Sequence, residues 1–158
     1  MTKGEPELQK RFRELIQDAS RFAEAGETKS ALTLLRSAQQ IAADLTSTII
    51  RARALNEIGY IGFQIGLLKE AESAFQQVLD YPQGDVADDI LISVRLGLGL
   101  LYHANKRFGE GAVQLSAASD LAAKLGAENL REIAFRKLGE CYLTQVAPYR
   151  VSRDSCNY

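Results

Sequence analysis

The chain has a single histidine, His103, and two cysteines, Cys141 and Cys156. Imidazole and thiolate are the groups most often used for proton transfer and nucleophilic attack near neutral pH, and each needs a partner at a defined spacing. His103 belongs to no H-E-x-x-H motif. The cysteines stand fifteen residues apart, with no C-x-x-C pair, so two free thiols in a reducing, cytoplasmic setting are expected. Gly97-Leu98-Gly99 lies inside a helical pattern and has no phosphate-loop context; neither a Walker loop nor a G-x-G-x-x-G fingerprint occurs. Asp88-Asp89 precedes an apolar run, where acids favour the positive end of a helix macrodipole rather than a metal. The residue types therefore predict no catalytic residues, no metal and no cofactor, hence no enzyme.

Surface chemistry remains. Lys and Arg number 19, Asp and Glu 20, for a net charge of -1 over 158 residues. The charges are even along the chain, with 10 basic and 10 acidic groups in residues 1–79 and 9 and 10 in residues 80–158. Phosphate neutralisation needs a basic excess, so nucleic acid is not an expected partner. The longest apolar stretch, Ile90 to Tyr102, is interrupted by Arg95 and is too short to span a bilayer. The polar N-terminus lacks the apolar core of a signal peptide. With 46% apolar residues the chain is expected to fold as one domain.

The elements that must present this surface are helices. Apolar residues recur with helical spacing from Pro6 to about Gln145, and no segment alternates with a period of two. Gly26 ends a first helix. A second runs from Thr28, and a third follows a Thr46–Ser47 cap to Gly66. A fourth stops at Tyr81-Pro82-Gln83-Gly84. Asp85 is expected to cap a fifth that ends near Lys106. The sixth runs from Phe108 to Gly126, and the seventh from Glu128 to about Val146, ahead of Pro148. Residues 1–6 and 147–158 are expected to be flexible. Links of two to six residues make neighbouring helices antiparallel.

A period of 40 residues runs through these helices. Gly59, Gly99 and Gly139 recur as Ile58-Gly59, Leu98-Gly99 and Leu138-Gly139, with Ala19 one period earlier. Twelve residues on stand Ala31, Ala71 and Gly111; four further, Leu35, Phe75 and Leu115; three beyond, Ala38, Val78 and Ala118. Small residues let two helices approach closely. A glycine inside a helix costs about 0.8–1 kcal/mol relative to alanine, so three in one phase imply a compensating contact.

These residues resemble the tetratricopeptide repeat family. The fit is best over Leu55–Leu79, with Ile58-Gly59, Gly66, Glu70-Ala71 and Phe75, and departs at Gly62. The next unit keeps Leu98-Gly99, Tyr102, Phe108 and Gly111 but has Lys106 at the turn glycine. A period of 40 is similar to the longer variant of that family. The resemblance implies an all-α fold, a right-handed α-α superhelix or solenoid of about seven antiparallel helices without a sheet. Its repeats would fall near 12–51, 52–91 and 92–131, with a half repeat at 132–146, in a domain over 7–146.

The resemblance also implies a concave groove lined by the first helix of each hairpin. The expected groove residues are Arg53, Asn56, Glu57, Tyr60, Phe63 and Gln64, then Leu96, Leu100 and His103, then Arg136, Lys137 and Glu140. Tyr60, Phe63, Leu96 and Leu100 would supply apolar anchors, Asn56 and Gln64 backbone hydrogen bonds, and Arg53, Arg136 and Lys137 positive charge. The matching partner is a protein or peptide segment, amphipathic with an acidic flank. The function this implies is a non-catalytic protein-binding adaptor or scaffold. The alternative is self-association: the half repeat leaves Ile133, Phe135, Leu138, Tyr142 and Leu143 without a second helix, and an end-to-end homodimer would cover them.

Overall fold

The computed structural model describes residues 4–82 and 84–154, and side chains as far as residue 144. Among the described residues there are seven α-helices and no strand: α1 Glu5–Glu24, α2 Thr28–Asp44, α3 Thr48–Gln64, α4 Leu68–Leu79, α5 Asp88–Ala104, α6 Phe108–Lys124 and α7 Glu128–Asp154. The 40-residue period is kept to the residue in the helix starts, at Thr28, Leu68 and Phe108 and again at Thr48, Asp88 and Glu128.

The turns explain this regularity. Gly26, Gly66 and Lys106 all have positive φ, at 77°, 79° and 60°. Each ends its helix in the same way: the N–H of Glu27, Leu67 or Arg107 donates to the carbonyl of Phe22, Gly62 or Tyr102 at 2.8–2.9 Å. This left-handed ending closes the last turn and reverses the chain. One period later stands Val146, whose β-branch opposes positive φ. The chain does not turn there, and α7 continues to Asp154.

That continuation corrects the expected end near Val146. Pro148 removes one backbone donor, yet the helix carries on beyond it. Of the ends expected to be flexible, Glu5 and Pro6 belong to α1 and residues 147–154 to α7; residues 1–3 and 155–158, with Cys156, lie outside the described residues. Asp85 does not cap α5. Its N–H bonds to the Pro82 carbonyl, and α5 starts after Ala87, whose carbonyl accepts from Ile90 and Leu91. α4 is the shortest helix because Pro82 disfavours helical backbone at the residue before it. Ser47 does cap α3, accepting from the Ile50 N–H at 3.5 Å.

The chain divides into two compact units, Met1–Val94 and Arg95–Tyr158, with the boundary inside α5. In the first unit, α1 packs on α2 and α3 on α4. Phe75, Val78, Ala71 and Ala74 are fully buried on α4, with Phe75 against Gly59 and Ala71 against Gly62 of α3. The α2–α3 link is gripped from both sides. Glu5 of α1 accepts from the Thr46 N–H at 3.2 Å and from the Thr46 hydroxyl at 2.5 Å. Arg51 of α3 donates through Nε and Nη2 to the Leu45 carbonyl. In the second unit, Leu115 packs against Gly99, while Gly111 lies beside Cys141 of α7. Leu98, Leu101, Ala118, Ala122 and Ala134 complete this core.

Candidate functional site

The first unit carries a cleft of about 250 Å³ between α1 and α3. Gln9, Phe12 and Arg13 come from α1, Leu45 from the gripped link, and Ile50, Arg53, Ala54 and Glu57 from α3. Phe12, Leu45 and Ala54 are buried and make an apolar floor. Arg13 and Arg53 are exposed at the rim and are 40 residues apart, at one position of the repeat. Among the described residues neither guanidinium has an acidic partner; Arg13 donates only to the Gln9 carbonyl, at 3.4 Å. Glu57 stays open to solvent on one side, and the water it loses to the cleft walls raises its carboxyl pKa. Two unpaired cations over an apolar floor suit a ligand that joins a carboxylate to an apolar side chain.

Of the residues expected to form a groove, the structure keeps Arg53 and Glu57 in this cleft and commits others to internal contacts. The Asn56 amide and the Ser93 hydroxyl hydrogen-bond to each other, at 3.1 Å from Nδ2 to Oγ. Tyr60 donates its hydroxyl to the Ser93 carbonyl at 2.7 Å and sets its ring edge-on to Phe75, with centroids 5.3 Å apart. Both roles are structural, which corrects the reading of Asn56 as a backbone reader and of Tyr60 as a free anchor. Leu96, also expected as an anchor, is 7% exposed and belongs to the core. Phe63 is half-buried and Gln64 exposed.

In the second unit, Leu100 and His103 are half-buried, and the His103 ring meets Phe108 edge-on at 5.3 Å. Arg136 is exposed. Lys137 donates to Glu140 at 2.8 Å, and this bond holds the Glu140 carboxyl below its usual range. The residues expected at the unpaired end are largely open: Phe135, Tyr142 and Leu143 are 51%, 53% and 71% exposed, with Ile133 exposed and Leu138 half-buried.

Sequence reasoning did not select Gln9, Phe12, Leu45 or Ile50; helical phase puts Arg13 on the inward stripe of α1, but without a binding role. The available signal was the recurrence of arginine at positions 13 and 53, one period apart. For chemistry, Cys141 is fully buried, and burial pushes its thiol pKa up, away from the reactive thiolate. Among the described residues no group of three or more His, Cys, Asp or Glu is placed to hold a metal, and no helix is long and apolar enough to cross a membrane. No family model, curated protein or solved structure matches the chain.

Proposed function

We propose that the chain is a cytoplasmic, non-catalytic protein-binding adaptor of tetratricopeptide-like type, which takes an acidic-apolar peptide segment in the α1–α3 cleft. The observation that carries the reading is the pair Arg13 and Arg53, unpaired over the floor of Phe12, Leu45 and Ala54. The apolar floor would take one Leu or Phe side chain, and the arginines a neighbouring Asp or Glu. The 40-residue repeat adds support, because it places one arginine of each of two successive units on the same face.

The test is a fluorescence anisotropy titration with labelled decapeptides that carry one Phe or Leu beside one Asp or Glu. At least one sequence is expected to bind in the micromolar range, more weakly at high salt. Exposed ion pairs contribute about 0.2–1 kcal/mol each, so the Arg13→Ala/Arg53→Ala pair should weaken binding roughly 2- to 30-fold. Absence of binding by the whole set, or binding indifferent to both substitutions, would reject the cleft as the peptide site.

A further inference from the structure

Gly59, Gly99 and Gly139 occupy one phase of the repeat, and the first two are covered. A Cβ on Gly59 would meet the Phe75 ring at 2.5 Å, and one on Gly99 would meet Leu115 at 2.5 Å. Each covering residue follows its glycine by sixteen positions, on the next helix, with a small residue four before it: Ala71 before Phe75 and Gly111 before Leu115. The register is antiparallel, since a Cβ on Gly62 would lie 3.3 Å from that of Ala71. Among the described residues nothing lies within 4 Å of a Cβ placed on Gly139.

The open seat has walls. Phe135, Tyr142 and Leu143 lie one turn before and one turn after Gly139, and all three are exposed. On the α6 side, Gly109, Ala112, Val113, Ser116, Ala117 and the exposed acid Asp120 line a cleft of about 500 Å³ together with Tyr142. Small residues on one wall and a ring on the other make room for a helix rather than a strand or loop.

We propose that this side of α7 is a docking site for an amphipathic helix of a partner protein. The helix lies antiparallel to α7, places Phe or Leu over Gly139, and carries Gly or Ala four residues earlier. Charge sets the rest of its chemistry. Arg136 and Glu132, both exposed, lie one and two turns before Gly139. In the antiparallel register an acid three or four residues after the bulky anchor faces Arg136, and a base about seven after it faces Glu132.

Among its described residues a second folded copy does not offer a helix with both this shape and this charge. The chain's own small–bulky–small runs are turned inward: Ala31, Leu35 and Ala38 on α2, Ala71, Phe75 and Val78 on α4, and Gly111, Leu115 and Ala118 on α6 are all buried. On α7 the run Ala134, Leu138 and Cys141 has its two small members fully buried, and the exposed Leu143, with Gly139 four residues before it, has the shape but is followed by Val146 and Ala147 where the acid facing Arg136 is needed. A second copy is therefore not the occupant.

The α6 sequence shows the apolar pattern such a seat accepts, so a labelled synthetic peptide of residues 107–126 with Ser119→Glu and Ala122→Lys, which supply the acid and the base, serves as the probe, titrated with the full chain. Saturable binding is expected, on the order of 100 μM or tighter. Replacing the leucine at position 115 of the peptide by alanine should weaken it at least ~10-fold. Gly139→Leu in the chain fills the seat and should abolish binding while the helical circular dichroism and urea midpoint are retained. Tyr142→Ala, a surface change, gives an independent loss should Gly139→Leu fold poorly. The proposal fails if the peptide does not bind, or if binding survives both substitutions. It also fails if sedimentation shows the chain to be a dimer that Gly139→Leu dissolves, because a second copy is then the occupant.

Discussion

The Phe75 ring fills the space beside Gly59 that a methyl group would need, with three ring carbons 2.5–2.7 Å from the Cβ position. Phe75 is fully buried and has nowhere to retreat. Overpacking of this kind costs about 1–3 kcal/mol, which exceeds the gain of up to ~1 kcal/mol from placing alanine in a helix. Gly59→Ala is therefore expected to lower stability by up to about 2 kcal/mol in urea unfolding. Gly99→Ala meets the Cγ of Leu115 at 2.5 Å, and Leu115 is as fully buried as Phe75, so a similar loss is expected. Gly139→Ala meets nothing among the described residues and should stabilise by up to about 1 kcal/mol. Three substitutions of one kind, in one phase of the repeat, are thus expected to differ in sign. Equal losses at all three would show that Gly139 is covered.

Lys106 occupies the turn position that Gly26 and Gly66 occupy in the two earlier periods, and does so at φ 60°. Left-handed backbone costs a residue with a Cβ about 1–2 kcal/mol, partly offset because glycine loses more entropy on folding. Lys106→Gly should raise stability by about 0.5–1 kcal/mol. The same exchange at the exposed helical Lys124 should lower it by a similar amount, since that site has no left-handed strain to relieve. Calorimetric melting of the two variants separates the cases. A lower melting temperature for Lys106→Gly would mean that the lysine side chain holds the turn by a contact worth more than the strain.

The helices were legible from the sequence because their ends are made by local chemistry. Gly26, Gly66 and Gly126 mark left-handed turns wherever they are placed, and the period of 40 could be counted. The failures came where distant groups decide the outcome. Glu5 joined α1 because Thr46, 41 residues away, supplies two donors to its carboxylate. Asn56 and Tyr60 lie on the stripe that spacing assigned to a groove, but the hydroxyl and carbonyl of Ser93 take their polar atoms. Helical phase says which side of α3 a residue occupies. It does not say whether another element already covers that side, and so it missed Phe12 and Leu45 as the floor of a cleft.

Glu5 makes stability depend on pH. The hydroxyl and N–H of Thr46 bond the ionised carboxylate and lower its pKa, against a smaller opposing effect of burial. A folded-state pKa below the unfolded value of about 4.3 gives stability that is complete above that value and is lost as pH falls through the folded one. Glu5→Gln keeps the shape but not the charge. Stability measured against pH should therefore fall less steeply below about pH 4 in the variant than in the parent. Parallel curves would show that the Thr46 bonds do not discriminate between the charged and neutral forms.

Tyr60 separates the structural reading of α3 from the binding one. Its hydroxyl donates to the Ser93 carbonyl at 2.7 Å, so Tyr60→Phe leaves that acceptor short of one partner. The loss should be about 0.5–1.5 kcal/mol in urea unfolding at neutral pH. Burial holds the phenol neutral by raising its pKa, against the opposing pull of the Ser93 bond. Because the folded pKa lies above the unfolded value of about 10, this contribution is whole below pH 10 and is lost as pH rises through the folded value. The stability gap between parent and variant should therefore shrink only in strong alkali. Peptide affinity at the α1–α3 cleft should change less than 2-fold, because Tyr60 does not line that cleft. A large loss of affinity with unchanged stability would make Tyr60 a ligand anchor after all, and would place the peptide along α3 rather than between α1 and α3.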